Sequence, residues 1–475
     1  MIAGILLAVV AATGATGATG PVAPEPKPFP RGEVVPRVVC EAAPDRSYAL
    51  YLPKSYTSDR AWPLLYLYDP RRRGAAAAER FREAAETYGW ILAASNDTAS
   101  DDPTAPNASA VNATWADTHQ RFRVDPRRVY ASGFSGGARL AVLLALQREG
   151  EVAGVIAAGG GFPDSAAPRS GLRFDFFGAV GNLDFNYGEM RRLDRTLAGL
   201  GVAHRLAVFA GPHSWCPAPT CREGIEWLEL QAMKKATAAK DPVVVERLLR
   251  ERREKAAADE SAGRLLDAFR RYSDAAEDFR GLADTADLTA AASRLEASAA
   301  VRQALAEEEK REDAEARRAA KLRTDLVNAL AEETVPPVPF LMNRLQLSRL
   351  KSDAASDRPE PDRLSAARVL EAIFVQTAFY MPREFAARHD LHRAEITAGI
   401  AAELKPDRAA TVFYNLACFR ALAGDRKGAI ASLRNAVAKG YNDAAAMETD
   451  PDLASLRGEK AYLDIVADLK ARATS

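Results

Sequence analysis

Between residues 37 and 235 short apolar runs alternate with amphipathic helical stretches, and this alternation constrains the fold more than any other feature of the chain. A strand covered on both faces reads as a continuous apolar run, whereas a half-buried strand alternates apolar with polar residues. Pro63-Leu64-Leu65-Tyr66-Leu67-Tyr68 and Trp90-Ile91-Leu92-Ala93-Ala94 are of the first kind, and Ser47-Tyr48-Ala49-Leu50-Tyr51-Leu52 is of the second. Residues 128–132, 154–158, 175–180 and 204–209 bring the expected strands to seven. Strands separated by helices imply an α/β unit, a sheet flanked by helices on its faces.

The chain of 475 residues is too long for one ordinary core. Its second half is rich in Ala, Arg, Glu and Leu, the composition of long solvent-facing helices, and is poor in aromatic residues. The expected organisation is a signal peptide over 1–20, a Pro-rich linker over 21–36 and the α/β unit over 37–235. A charged helical region over 236–335, a linker over 336–361 around Val335-Pro336-Pro337-Val338-Pro339, and helix pairs over 362–475 complete it. The signal-peptide reading rests on the apolar run 2–12 followed by small residues, although no Lys or Arg precedes it, and it implies export to the periplasm or beyond. No other stretch is long enough to span a bilayer.

The 64 basic residues equal the 64 acidic ones, so no net field draws in nucleic acid or an anionic membrane surface. In the helical part, the run Glu307-Glu308-Glu309-Lys310-Arg311-Glu312 reads as a solvated helix face. Cys216 and Cys221, separated by Pro-Ala-Pro-Thr, suit either a local disulfide clip or two free thiols. Cys418 reads as a small buried residue within a helix.

Gly133-Phe134-Ser135-Gly136-Gly137 fits Gly-x-Ser-x-Gly, a pentapeptide that is unspecific alone and informative in context. It follows a strand and opens the helical stretch 138–144, so the serine falls on a sharp strand-to-helix turn that lifts its hydroxyl from the sheet. A serine hydroxyl needs a base, and the base needs a carboxylate to fix its tautomer. Among five histidines, His213 alone sits in a loop just past the last strand, in Gly211-Pro212-His213-Ser214-Trp215. The acid belongs between serine and histidine, after the penultimate strand, and Asp184 in Gly181-Asn182-Leu183-Asp184-Phe185-Asn186-Tyr187 meets both conditions. Phe162, Tyr187 and Trp215 fall on the same edge of the sheet and are candidates for lining a substrate pocket. Gly159-Gly160-Gly161 lacks the Lys-Ser or Lys-Thr of a nucleotide loop and reads as a loop bordering the site.

With Tyr51-Leu52-Pro53, Val124-Asp125-Pro126-Arg127-Arg128-Val129-Tyr130 and the order Ser135, Asp184, His213, residues 37–235 resemble the α/β-hydrolase family. The resemblance is strongest to small esterases related to polyhydroxybutyrate depolymerases and esterase D. It implies an acyl-serine mechanism on a small-molecule ester, with no metal and no organic cofactor. It also implies an oxyanion hole of two backbone amides, one from Gly136. The other comes in the family from a His-Gly segment, where this chain has Asp69-Pro70-Arg71-Arg72-Arg73-Gly74, leaving Arg71 as candidate because Pro70 has no amide hydrogen. This departure keeps two further readings open, a substrate with an anionic group met by Arg71 to Arg73, and a hydrolase-fold scaffold with weak or no activity. A serine peptidase of the same fold is the remaining alternative.

In the last part, Tyr414-Asn415-Leu416-Ala417, Ala421, Gly424-Asp425, Ala429, Leu433 and Ala436 follow a small-large order that resembles tetratricopeptide units. That resemblance implies stacked helix pairs able to bind a protein partner.

Overall fold

The computed structural model describes residues 29–100, 105–355, 357 and 360–473. The expected signal peptide and the first part of the Pro-rich linker lie outside the described residues. The rest is an eight-stranded mixed sheet with its flanking helices, followed by a long all-helical region.

The strands are β1 (Val34–Cys40), β2 (Ala43–Tyr51), β3 (Trp62–Tyr68), β4 (Ile91–Ser95), β5 (Val124–Phe134), β6 (Val152–Ala158), β7 (Asp175–Gly181) and β8 (His204–Phe209). Their order across the sheet is β1-β2-β4-β3-β5-β6-β7-β8, with β2 antiparallel to both its neighbours and the remaining pairs parallel. Interleaved are α1 (Gly74–Tyr88), α2 (Asn107–Arg121), α3 (Gly136–Gln147), α4 (Tyr187–Gly199) and α5 (Ala218–Lys234). Every residue of β3 is buried, and its period of two divides it between two cores. Leu64, Tyr66 and Tyr68 face α2, α3 and α4 with Trp115, Val142 and Leu193, whereas Leu65 and Leu67 join Phe81 of α1 and Trp227 of α5.

β1 begins inside the segment expected as a linker. Pro36 masked it in the sequence, since proline removes a ladder donor; an edge strand tolerates that loss, and the pairing with β2 is irregular around it.

The helical region comprises α6 (Pro242–Ser261), α7 (Leu265–Asp278), α8 (Ala286–Glu296) and the 32-residue α9 (Ala299–Leu330). It continues with α10 (Val338–Arg344), α11 (Leu347–Ala355), α12 (Glu360–Val375), a π-helical turn (Gln376–Tyr380), α13 (Met381–Ala387) and α14 (Leu391–Leu404). The last helices are α15 (Ala409–Leu422), α16 (Arg426–Ala438), α17 (Ala444–Thr449) and α18 (Lys460–Ala473). Among the described residues no helix is long and apolar enough to cross a membrane.

Residues 336–361, expected as a linker, instead carry two helices and begin a third. Leu341, Met342, Leu345, Leu347 and Leu350 are buried in one core with α12, α14 and α15. Pro337 and Pro339 do not break this segment: they sit at the start of α10, where the first amides need no intrahelical acceptor. Further on, α15 and α16 pack as a helix pair through Ala417, Ala421, Ala429, Leu433 and Ala436. Gly424, at φ 82°, makes the turn between them, and Asp425 caps α16 by accepting from the Gly428 amide.

The acidic run in α9 is not a purely solvated face. Glu312 is buried and accepts from Arg191 at 3.1 Å and Arg195 at 2.7 Å, both on α4, while Glu308 takes Arg191 at 2.9 Å and Arg270 of α7. These pairs join the helical region to the sheet. Burial raises the Glu308 carboxyl, but the hydrogen bond and charge of Arg270, together with Arg191, hold it below the ordinary glutamate value. A depressed folded-state value contributes stability above the unfolded value and loses it as pH falls through the folded one. Thermal unfolding followed from neutral pH to below about pH 4 should therefore show a fall in midpoint that Glu308→Gln flattens. The same variant should cost about 1.5–3 kcal/mol at neutral pH.

Candidate active site

The turn after β5 is shaped by crowding. Ser135 adopts φ 55° and ψ −121°, a left-handed backbone that a side chain rarely accepts, and its amide donates to the Ala158 carbonyl at 2.8 Å. A Cβ at Gly133 would lie 2.1 Å from the Gly137 carbonyl oxygen, and one at Gly137 would lie 2.1 Å from the Tyr68 carbonyl oxygen. Both glycines are thus required for strand, turn and helix to close, and the Ser135 hydroxyl is left outside the sheet.

The three residues expected to act together are together. His213 Nε2 lies 3.0 Å from Ser135 Oγ, and His213 Nδ1 lies 2.9 Å from both carboxylate oxygens of Asp184. Asp184 is wholly buried, and its Oδ1 also accepts the Asn186 amide at 2.8 Å. The imidazole is held between the rings of Phe134 and Phe185, with centroids 4.6 and 4.3 Å away. Gly159, at φ 60°, allows this approach: a Cβ there would lie 3.1 Å from Asp184 and 3.2 Å from His213. The loop of three glycines therefore borders the site.

The acid and histidine loops are bound to each other. Asn182 donates its amide to Phe209 O and accepts the Gly211 amide on its Oδ1, while the Leu183 amide donates to Gly211 O. Asn186 Nδ2 donates to Gly159 O at 2.8 Å. These two asparagines escaped the sequence reading, although their places on either side of Asp184 in a turn-rich segment were the available signal. Asp69, also missed, is buried at the end of β3 and accepts the Trp215 indole at 2.8 Å, tying the histidine loop to the β3–α1 turn.

Asp69 also alters the expected oxyanion hole. The Arg71 amide donates to Asp69 Oδ1 at 2.8 Å, so its hydrogen is directed at that carboxylate rather than at the space beside Ser135. Gly136 keeps its expected position, in the first turn of α3 where amides have no intrahelical acceptor. Of the candidate lining residues, Trp215 borders the cavity above Ser135. Phe162 is buried instead against Phe174 and Phe176, because the glycine loop turns it into the core. Tyr187 lies beneath the Arg368 guanidinium at 4.3 Å, taken out of the cavity by α12.

The cavity over Ser135 and His213 has a volume of about 680 Å³ and is walled by both parts of the chain. Phe134, Phe185 and Trp215 come from the edge of the sheet, and Phe374, Phe379 and Tyr380 from α12 and the π-helical turn. A second tie holds this roof near the acid loop. Arg368 of α12 donates to the Asn182 carbonyl at 3.0 Å while its other nitrogens pair with Glu315 of α9. The roof was not legible beforehand, apart from its aromatic residues standing out in an aromatic-poor half. Behind the histidine loop, Cys216 and Cys221 are buried free thiols with sulfurs 3.1 Å apart.

No protein-family model and no curated protein sequence matches the chain. Among solved structures, an S-formylglutathione hydrolase from Staphylococcus aureus aligns at 14% identity over 38% of this chain and 90% of its own, with a TM-score of 0.32. An esterase from Pyrobaculum calidifontis aligns at 14% identity over 44% of this chain and 87% of its own, with a TM-score of 0.34. Esterase 2 of Thermogutta terrifontis gives 14% identity, 41% and 91% coverage and a TM-score of 0.32.

The glycine requirement is directly testable. Gly137→Ala forces a methyl group into the Tyr68 carbonyl and should destabilise the protein by about 1–3 kcal/mol or prevent folding. Denaturant titration beside the wild type measures the loss, and an unchanged midpoint would contradict the geometry.

Proposed function

We propose that the protein is a serine hydrolase of the α/β-hydrolase fold that cleaves carboxylic esters. Ser135 is the nucleophile, His213 the general base and then the general acid, and Asp184 the group that fixes the imidazole. The observation that carries this reading is the 3.0 Å contact between His213 Nε2 and Ser135 Oγ on an imidazole whose other nitrogen faces a buried carboxylate.

In the reaction so read, His213 removes the Ser135 proton as Oγ bonds to the ester carbonyl carbon. The carbon–oxygen bond to the alcohol then breaks, and the alcohol leaves with the proton from His213. Water, deprotonated by the same imidazole, attacks the acyl-serine and releases the carboxylic acid with the serine restored. The amide of Gly136 is one donor to the developing oxyanion. Phe374, Phe379 and Tyr380 of α12 and the π-helical turn, with Val412 and Asn415 of α15, select the substrate from above, and the helix pair α15–α16, similar in sequence to tetratricopeptide units, serves a protein partner.

A second reading, a hydrolase-fold protein with weak turnover, is favoured by one observation, the Arg71 amide directed at Asp69. Labelling with a fluorophosphonate probe separates the two. Under the first reading the wild type labels, Ser135→Ala does not, and Asp184→Asn loses on the order of 10³–10⁴ in ester turnover. Absence of labelling in a folded wild type would leave only the scaffold.

A further inference from the structure

The cavity above Ser135 holds an unequal set of charges. Among the described residues, Arg71, Arg73, Arg80 and Arg408 border it, against one carboxylate, Glu371. Arg73 is matched by Asp69, at 3.0 and 3.1 Å, and Arg408 lies 3.1 Å from Glu371, which also takes Lys405. Arg71 and Arg80 have no ion-pair partner among the described residues. Arg71 lies in the β3–α1 turn and Arg80 on α1 itself. Unpaired guanidinium groups on an open surface are ordinary. Arg71 and Arg80 are themselves exposed, but the space they border is partly roofed and aromatic-walled and holds a serine and its histidine, so an anion seated there meets their uncancelled charge.

We propose that the ester taken at this site carries a free carboxylate, received by Arg71 and Arg80 while its hydrocarbon part lies against the aromatic walls. This rests on the hydrolase reading above. A guanidinium presents paired donors that match the two oxygens of a carboxylate.

The test compares two esters of equal acyl length, mono-4-nitrophenyl adipate and 4-nitrophenyl hexanoate, which differ in the terminal carboxylate. The wild type should favour the adipate in kcat/KM by about tenfold, the size of one charged hydrogen bond. The ratio should fall toward one in Arg71→Gln/Arg80→Gln and decline in the wild type as salt is raised. Fluorophosphonate labelling of each variant verifies that the site is intact, and the wild-type salt series decides the matter if the double variant does not fold. A wild-type ratio at or below one, a ratio unmoved by both the variant and salt, or no turnover of either ester by a protein that labels would each overturn the carboxylate assignment. Loss of Ser135-dependent labelling in the wild type would overturn the hydrolase reading itself, a separate result.

Discussion

A serine in a left-handed backbone, with a glycine two residues to either side, is the constraint on which the rest of this molecule depends. The strain at Ser135 persists because β5, α3 and the end of β3 enclose it so closely that neither Gly133 nor Gly137 can carry a Cβ. The parallel strands deliver the acid and histidine loops to that same edge, and Asn182 and the Leu183 amide bond one loop to the other. The sheet therefore acts as a jig. Its interior alternation fixes where each strand ends, and the strand ends fix where the side chains meet.

Asp69 occupies a comparable place on the other side of the cavity. A buried carboxylate requires hydrogen-bond donors, and this one has collected the Arg71 amide, the Arg73 guanidinium and the Trp215 indole. It holds the β3–α1 turn against the histidine loop and at the same time occupies the Arg71 amide hydrogen. Under the hydrolase proposal, stability of the rim and completeness of an oxyanion site are in tension at this single residue.

How much of this was legible in the sequence differs by region for physical reasons. The inner strands announce themselves because burial on both faces demands uninterrupted apolar residues, as in β3. The meeting of Ser135, Asp184 and His213 followed from strand order and from the scarcity of histidine. β1 was hidden by Pro36, and the helices of residues 336–361 by prolines that initiate a helix as readily as they end one. Long-range partners were beyond reach: nothing in the spacing of Glu308 and Glu312 says that α4 supplies their arginines, nor that α12 would remove Tyr187 from the site. Local pattern records burial and turns, whereas it carries no trace of which distant surface does the covering.

The roof formed by Phe374, Phe379 and Tyr380 has a consequence for how such a chain can diverge. The edge that carries Ser135 and His213 and the surface that faces it lie in separate parts of the chain, so drift or recombination confined to the C-terminal third reshapes the chamber without touching a single residue of the sheet. Under the proposed function, the stretch that does the chemistry and the stretch that shapes what reaches it are separable in one gene, and lineages sharing the first can part company through the second.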